Sequence, residues 1–281
     1  MRKLAIVGAG SMAEALISGI VKNNLLDSKN IWVTNKTDEK KLKNLHHKYG
    51  VTITYDLDSL FNQAETVVLA MKPKDALAAI QKIRGHLTNQ MLIISVLAGI
   101  SVNTIETLAG KSLSIARAMP NTSAAVGKSA TAIAVNTFVS STQLEMIRSL
   151  FDTVGLTTFV NEEQLDAVTG LSGSGPAYIY YLVEAMENSA VEIGLERQIA
   201  KELIVQTLVG AAEMLKSTTK SSSKLRQEVT SPGGTTEAGI RILEENKVQH
   251  AFVSCIKEAA SQSKRMGNAL SMELHSVKQI F

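Results

Sequence analysis

The sequence predicts an α/β fold, with an N-terminal, doubly wound, mostly parallel sheet followed by an all-helical domain. Three observations favour this fold. Short apolar runs alternate with helical patterns in the first part of the chain, a glycine-rich turn follows the first run, and strand signals stop near residue 162. Apolar strands alternating with helices indicate a parallel sheet covered on both faces. In a chain of 281 residues we therefore predict domains at residues 1–161 and 162–281.

The predicted elements of the first domain follow one another in chain order. Apolar runs predict strands at residues 3–7, 31–34, 66–71, 91–96, 113–118 and 130–135. Helical spacing predicts helices after residue 10 and at residues 40–49 and 75–83. This alternation predicts a sheet with helices on both of its faces.

The second domain is predicted to be a dimerisation domain. Residues 176–195 and 198–215 form long helical stretches that are apolar nearly all the way round, and residues 216–224 form a polar connector. Such helices need cover on more than one side, and a domain of this size offers few elements to provide it. We therefore expect a homo-oligomer. A compact monomeric bundle is the alternative.

Composition excludes several classes of partner. The 29 basic and 26 acidic residues leave a formal charge of +3, without a basic cluster dense enough for nucleic acid. Cys255 is the single cysteine, so an internal disulfide is impossible, and we expect this residue to be buried.

No metal-binding constellation is evident, and His46 and His47 are predicted to be a solvated pair. Without a signal peptide or membrane-spanning run in the sequence, we expect a cytoplasmic protein that does not contact membranes.

The turn after the first predicted strand matches a dinucleotide-binding motif. Residues 8–13 read GAGSMA and fit the G-x-G-x-x-G/A pattern between a strand and a helix. Gly8 allows the tight turn, Gly10 lets the backbone approach a pyrophosphate, and Ala13 keeps the helix close to the strand. Free N–H groups at the helix N-terminus would bind the anion. The first domain is thus predicted to be Rossmann-type, with a purely structural glycine turn as the alternative.

The end of the second predicted strand favours NADPH. An NAD site places Asp or Glu there, against the ribose 2′-hydroxyl. Residues 34–37 read TNKT instead, and Lys36 with its polar neighbours suits a 2′-phosphate, although Asp38 and Glu39 follow closely. We predict NADPH, with NADH as the weaker alternative. The other interpretation of Lys36 is an ordinary solvated lysine.

The helical domain begins with a glycine pattern similar to that of the β-hydroxyacid dehydrogenases. Their motif resembles G-x-x-G-x-G-x-x-x-K-x-x-x-N, and this chain reads GLSGSGPAYI at residues 170–179. Ile179 stands where their catalytic lysine belongs, and Val183 where the asparagine belongs. Alcohol oxidation needs a base for the hydroxyl proton. The pattern therefore disfavours that activity.

Reduction of a carbon–nitrogen double bond needs fewer catalytic groups. A protonated cyclic imine is already an electrophile, so the enzyme mainly has to hold it against the cofactor and stabilise its charges. The segment SPGGTT at residues 231–236 interrupts a helical stretch, and its N–H groups, hydroxyls and glycines predict a cradle for a substrate carboxylate. Thr236 would hydrogen-bond the imine nitrogen. The alternative is a structural helix-turn-helix with a threonine N-cap.

Five segments together resemble pyrroline-5-carboxylate reductase. They are GAGSMAEAL at residues 8–16, AMKPKD at 70–75, ARAMPNTSAAVG at 116–127, DAVTGLSGSGPAY at 166–178 and EVTSPGGTTEAGI at 228–240. The segments span almost the whole chain in order, and SGSGPAY combined with SPGGTT is highly specific. The resemblance implies NADPH-dependent reduction of 1-pyrroline-5-carboxylate to L-proline, the last step of proline biosynthesis.

The resemblance also implies site residues and an assembly. The cofactor would be lined by Gly8, Gly10, Ser11, Met12, Asn35, Lys36, Ala70, Lys72, Pro73 and Ala98. The substrate would contact Glu162, Val229, Ser231, Gly234, Thr235 and Thr236, with Thr236 as the catalytic residue. Family members form interleaved dimers through the helical domain, often built into decamers, with the active site between the nucleotide domain of one subunit and the helical domain of its partner.

One question of affinity and two alternative functions stay open beside this resemblance. Glu228 occupies a position where some relatives have a neutral amide, which affects the expected substrate affinity. Paralogues with this architecture either reduce another cyclic imine or bind NADPH without catalysis, in a regulatory role.

Overall fold

The computed structural model describes residues 1–278 and divides into two compact units. The first combines Met1–Ser174 with the chain from Lys257 onward, and the second is Gly175–Ile256. The domain boundary between residues 161 and 162 stays a prediction.

The first unit contains an eight-stranded sheet. Its strands are β1 (Leu4–Val7), β2 (Ile31–Thr34), β3 (Thr52–Ile53), β4 (Thr66–Leu69), β5 (Leu92–Ser95), β6 (Ser114–Met119), β7 (Ser129–Val135) and β8 (Gly155–Phe159). The spatial order is β3-β2-β1-β4-β5-β6-β7-β8, and every neighbouring pair is parallel except β6 with β7. The predicted mostly parallel sheet is confirmed. The two outermost strands, β3 and β8, were not predicted.

Helices cover both faces of this sheet. They are α1 (Ser11–Lys22), α2 (Glu39–Tyr49), α3 (Leu57–Phe61), α4 (Ala76–Ile83), α5 (Val102–Ala109), α6 (Ser141–Asp152) and α7 (Leu165–Val168). Side chains along one strand alternate between the two faces, so Leu4 and Ile6 enter one apolar cluster while Ala5 and Val7 enter the other. A sheet that is apolar on both faces requires this double cover.

The register of the parallel strands brings their carboxyl ends into one row. Val7 pairs with Thr34 on one side and with Leu69 on the other, and Leu69 pairs with Ser95. The loops that leave β2, β1, β4 and β5 therefore emerge side by side at one edge of the sheet. In open sheets of this kind ligands bind at that edge.

The second unit is helical. Its helices are α8 (Gly175–Glu192), α9 (Arg197–Ser217), α10 (Ser222–Glu228), α11 (Thr235–Glu245) and the first part of α12 (Val248–Lys278). The predicted connector is shorter than residues 216–224, because α9 continues to Ser217 and α10 begins at Ser222.

Much of the apolar surface of this unit is uncovered. Within residues 175–256 the buried hydrophobic side chains are Ala190, Ala200 and Ile204. Tyr181 is 73% exposed and Ile193 75%. The prediction that Cys255 is buried is wrong, because it lies on this sparsely covered part of α12 and is exposed. Within the described residues 1–278, no helix combines the length and apolar character that crossing a membrane requires.

Candidate active site

The glycine turn between β1 and α1 is held by its backbone neighbours. The Gly8 N–H donates to the Thr34 carbonyl at 2.8 Å, and the Ala70 N–H donates to the Val7 carbonyl at 2.8 Å. Gly8 has a φ of +114°, and a Cβ atom there would lie 2.4 Å from the carbonyl carbon and oxygen of Ala70. Only glycine fits such a conformation and such a close approach. Gly8 therefore fixes the turn against the loop after β4.

Gly10 opens the N-terminus of α1 to a ligand. It is the N-cap residue with φ −74° and ψ 179°, and no side chain caps the helix there. A Cβ atom on Gly10 would meet only the Ala70 carbonyl oxygen, at 3.8 Å, so its position is otherwise open. The first N–H groups of a helix have no acceptor within the helix. The turn with Ser11 and Met12 thus offers donors to a phosphate, and the contact of these residues with a cofactor stays a prediction.

Glu14, in the first turn of α1, is paired with two residues of α2. A Glu14 carboxylate oxygen accepts from the Lys48 ammonium at 2.8 Å and from the Tyr49 hydroxyl at 3.2 Å. The hydrogen bond from Lys48 is the largest cause of a lowered pKa for Glu14. Because the carboxylate is already paired, it opposes an anion at the helix N-terminus less than a free carboxylate would.

A cavity of about 300 Å³ lies at the carboxyl end of β2. Its lining includes Gly8, Asn35, Lys36 and Lys82. The Asn35 side chain is held locally, since its amide donates to the Asp38 carbonyl at 2.7 Å. Two cationic side chains beside the glycine turn suit a phosphorylated ribose.

Two lining residues of this cavity were not predicted from the sequence. The Tyr55 hydroxyl donates to the Asn35 side-chain oxygen at 3.1 Å, and Lys82 comes from α4. Tyr55 follows β3, so recognising that two-residue strand would have placed it at the carboxyl edge. Lys82 carries no such local signal.

The remaining predicted cofactor residues lie on the two loops next to this turn. Ala70 follows β4, and Lys72 and Pro73 begin a short 3₁₀ turn that leads into α4. Ala98 follows β5 on the neighbouring strand. The parallel register therefore brings the predicted cofactor residues of the first unit to one edge.

A larger and more open hollow, of about 1080 Å³, lies at the opposite edge of the sheet. Its lining includes Lys3, which precedes β1, and Met91, which precedes β5. The Lys3 ammonium already donates to the Ser59 carbonyl at 2.6 Å and the Asn62 carbonyl at 2.9 Å. Ligands of such sheets bind at the carboxyl edge. We therefore place the candidate site at the smaller cavity.

The SPGGTT segment forms a second uncapped helix N-terminus, in the second unit. α10 ends at Glu228, the turn passes through Gly233 at φ +72°, and α11 begins after the N-cap residue Gly234. No side chain caps α11 at that residue. A Cβ atom on Gly234 would lie 3.0 Å from the Ser231 carbonyl oxygen. The N–H groups of Thr235 and Thr236 at the start of α11 are thus available to an anion.

One carboxylate and one ion pair border this cradle. Glu237 accepts from the Gly233 N–H at 2.7 Å, which stabilises the turn but leaves a negative charge in the first turn of α11. Lys220 donates to both carboxylate oxygens of Glu228 at 2.9 Å. The negative charge of Glu228 is therefore partly balanced. Neither contact was predicted from the sequence.

Glu162 makes contacts within the first unit. One of its oxygens accepts from the Arg117 guanidinium and from the Val102 N–H, both at 2.8 Å. Arg117 is buried on β6, and Val102 is the first residue of α5. Glu162 thus ties β6 to the N-terminus of α5. Its predicted substrate contact stays a prediction.

Two family models match the chain. One is described as pyrroline-5-carboxylate reductase dimerisation and matches residues 162–266. The other is described as NADP oxidoreductase coenzyme F420-dependent and matches residues 3–99. The two matches fall on the helical part and on the glycine-turn part of the chain.

Individual proteins are similar over nearly the whole chain. Pyrroline-5-carboxylate reductase 2 of Bacillus subtilis is 44% identical over 279 residues, which cover 98% of this chain and 100% of that protein. A pyrroline-5-carboxylate reductase structure from Coxiella burnetii matches with a TM-score of 0.87 at 36% identity, covering 94% of this chain and 98% of that one. A Plasmodium falciparum pyrroline carboxylate reductase with NADP bound matches with a TM-score of 0.85 at 28% identity and the same coverages.

Proposed function

The chain belongs to the pyrroline-5-carboxylate reductase family, and on that premise we propose that its two uncapped helix N-termini are the cofactor-binding and substrate-binding elements of the enzyme. It catalyses the NADPH-dependent reduction of 1-pyrroline-5-carboxylate to L-proline, the last step of proline biosynthesis. The observation that carries the assignment of elements is that both helices begin at a glycine N-cap without a capping side chain.

The residues at the carboxyl edge of the sheet fit NADPH. The pyrophosphate binds the N–H groups at the start of α1, because Gly10 leaves open the space that a side chain would take. Lys36 binds the 2′-phosphate, helped by Lys82 in the same cavity. Ala70, Lys72, Pro73 and Ala98 line the site from the neighbouring loops. When bound, NADPH supplies the hydride that reduces the carbon–nitrogen double bond.

The SPGGTT turn binds the substrate carboxylate. The N–H groups of Thr235 and Thr236 and the hydroxyl of Ser231 donate to it, and Gly234 keeps the approach open. Val229, at the end of α10 and 66% exposed, offers an apolar contact to the pyrroline ring. Glu162 stays in this proposal as a further substrate contact through the oxygen that Arg117 leaves free.

Thr236 acts on the ring nitrogen. Its hydroxyl donates to the nitrogen lone pair of the amine product, and it can instead accept from the N–H of the protonated imine. A protonated imine needs no covalent nucleophile, so orientation and charge stabilisation suffice. Reduction by this route does not require a serine, histidine and aspartate triad.

The chain forms homo-oligomers, which agrees with the matched dimerisation model and with the uncovered helices of the second unit. We propose that the elementary assembly is a dimer formed through α8 and α9, since their exposed apolar side chains need a partner surface. Assembly of these dimers into a decamer is part of the same proposal. We also propose a cytoplasmic location, in line with the similarity to bacterial biosynthetic enzymes.

Product analysis tests the proposed function. Purified protein is incubated with NADPH and racemic 1-pyrroline-5-carboxylate, and the NADP⁺ and L-proline formed are quantified. We expect equal molar amounts of the two products, with D-proline absent. NADPH oxidation with a six-membered cyclic imino acid, assayed in parallel, but not with 1-pyrroline-5-carboxylate would favour reduction of another cyclic imine. NADPH binding without oxidation by either compound would favour a regulatory paralogue.

A further inference from the structure

The C-terminal helix α12 lies against the loop between β5 and α5 at two glycines. A Cβ atom on Gly267 would lie 2.8 Å from the Gly99 carbonyl oxygen, and one on Gly99 would lie 3.2 Å from the Gly267 backbone nitrogen. Gly99 has a φ of +73°, which side chains adopt only with strain. The two backbones therefore approach each other as closely as they do only because both residues are glycine.

A hydrogen bond on the same face of α12 fixes the helix next to this contact. The Ser263 hydroxyl donates to an Asp166 carboxylate oxygen at 2.6 Å, and Ser263 is only 5% exposed. Ser263 and Gly267 are four residues apart, so they lie on one face of the helix. α12 is thus attached at one point to α7 and at the other to the loop after β5.

The loop after β5 and α7 share an apolar cluster. Ala98 and Val168 of α7 both pack against an apolar cluster that contains Leu165 of α7 and Met119 of β6. The contacts therefore close a ring, from Ala98 through α7 to the Asp166–Ser263 hydrogen bond, and along α12 to Gly267 and Gly99. Each member of this ring restrains the position of Ala98.

We propose that Gly267 is a positioning residue for the cofactor, since it lets α12 hold the Ala98–Gly99 loop in the place that NADPH requires. The inference rests on the proposed cofactor role of Ala98. A side chain at position 267 must displace Gly99, because the clash is with backbone and not with a flexible side chain. The displaced loop then offers NADPH a poorer fit, while the SPGGTT turn, which belongs to the other unit, keeps its own geometry.

Direct binding of NADPH tests the inference. NADPH fluorescence is titrated with Gly267→Ala and wild-type protein in the absence of any imine. We expect the Kd for NADPH to rise about tenfold, because overpacking shifts backbone at the contact. Steady-state kinetics should show a raised KM for NADPH and an unchanged KM for the imine, a split that a general loss of folded protein would not produce.

Two further variants make the result decisive. Gly85→Ala is the matched control, since a Cβ atom there meets nothing within 4 Å. Ser263→Ala removes the neighbouring hydrogen bond without adding bulk, and we expect its Kd for NADPH to rise as well. If Gly267→Ala fails to fold, the Kd of Ser263→Ala tests the inference in its place. Wild-type affinity for NADPH in a folded Gly267→Ala or Ser263→Ala chain would overturn the inference and leave the proposed function standing. A wild-type chain that does not bind NADPH would contradict both.

Discussion

The ammonium nitrogen of Lys36 lies 3.5 Å from a carboxylate oxygen of Asp75, across the cavity at the carboxyl end of β2. The Lys36 side chain is 81% exposed and that of Asp75 35%. An ion pair this exposed contributes little to stability. Lys36 can therefore leave Asp75 for a 2′-phosphate at small cost.

The first prediction concerns cofactor choice. Lys36→Glu would replace the proposed attraction to the 2′-phosphate with a repulsion, so we expect the Kd for NADPH to rise by about a hundredfold and that for NADH by less than about threefold. Fluorescence titration with both cofactors measures the two values.

Two variants check the source of that effect. Lys29→Glu makes the same charge change before β2, at the opposite end of the strand, and should leave both affinities unchanged. Asp75→Asn removes the carboxylate that competes for Lys36 and should strengthen NADPH binding modestly. An unaltered NADPH to NADH ratio in Lys36→Glu would remove Lys36 from the site.

The second prediction separates the two glycines of the first turn. Gly8→Ala should destabilise the first unit by about 3 kcal/mol, because the new Cβ atom meets the Ala70 backbone at 2.4 Å and φ is +114°. Gly10→Ala should fold with stability close to wild type, since its Cβ position is open, yet weaken NADPH binding. Urea unfolding and fluorescence titration measure these two effects. Equal loss of stability in both variants would contradict the distinct roles.

The third prediction concerns Thr236. Thr236→Ala removes the hydroxyl that would bond the ring nitrogen, so we expect kcat to fall by about a hundredfold, which is the usual effect of removing one hydrogen-bonding group at the reacting atoms. Thr236→Ser keeps the hydroxyl and should retain most of the turnover. The Kd for NADPH should match wild type in both variants. A loss of NADPH affinity equal to the loss of turnover would contradict the assignment.

The fourth prediction concerns Glu162. Glu162→Ala leaves the buried Arg117 guanidinium and the Val102 N–H without this acceptor, so we expect the free energy of unfolding to fall by about 2 kcal/mol. Urea unfolding measures it, with the exposed neighbour Glu163→Ala as the control. The KM for the imine, measured on the same variant, tests the proposed substrate contact. Wild-type stability in Glu162→Ala would show that the ion pair does not hold β6 to α5.

Local pattern was sufficient to predict the buried strands of the sheet. Residues 31–34 were predicted as a strand, and β2 is Ile31–Thr34. Interior strands of a parallel sheet are continuous apolar runs, which makes them easy to recognise. The two outermost strands lack that signal: β3 has only two residues, and β8 reads GLTTF, with Leu156 69% exposed.

Contacts between distant segments could not be predicted in the same way. Asp166 and Ser263 are 97 residues apart, and neither stands in a pattern that indicates its partner. The same holds for Arg117 and Glu162, which meet only because β6 and the turn before α7 are brought together by the sheet. The glycine turn was predictable because all residues of its sequence motif lie within residues 8–13.

The most direct test of the enzymatic account is the fall in NADPH absorbance with purified protein and racemic 1-pyrroline-5-carboxylate. A six-membered cyclic imino acid and a 2-keto acid are assayed in parallel. We predict rapid oxidation with the five-membered imine and little with the other two compounds. NADPH that binds to the protein but is oxidised with none of the three substrates would contradict the account.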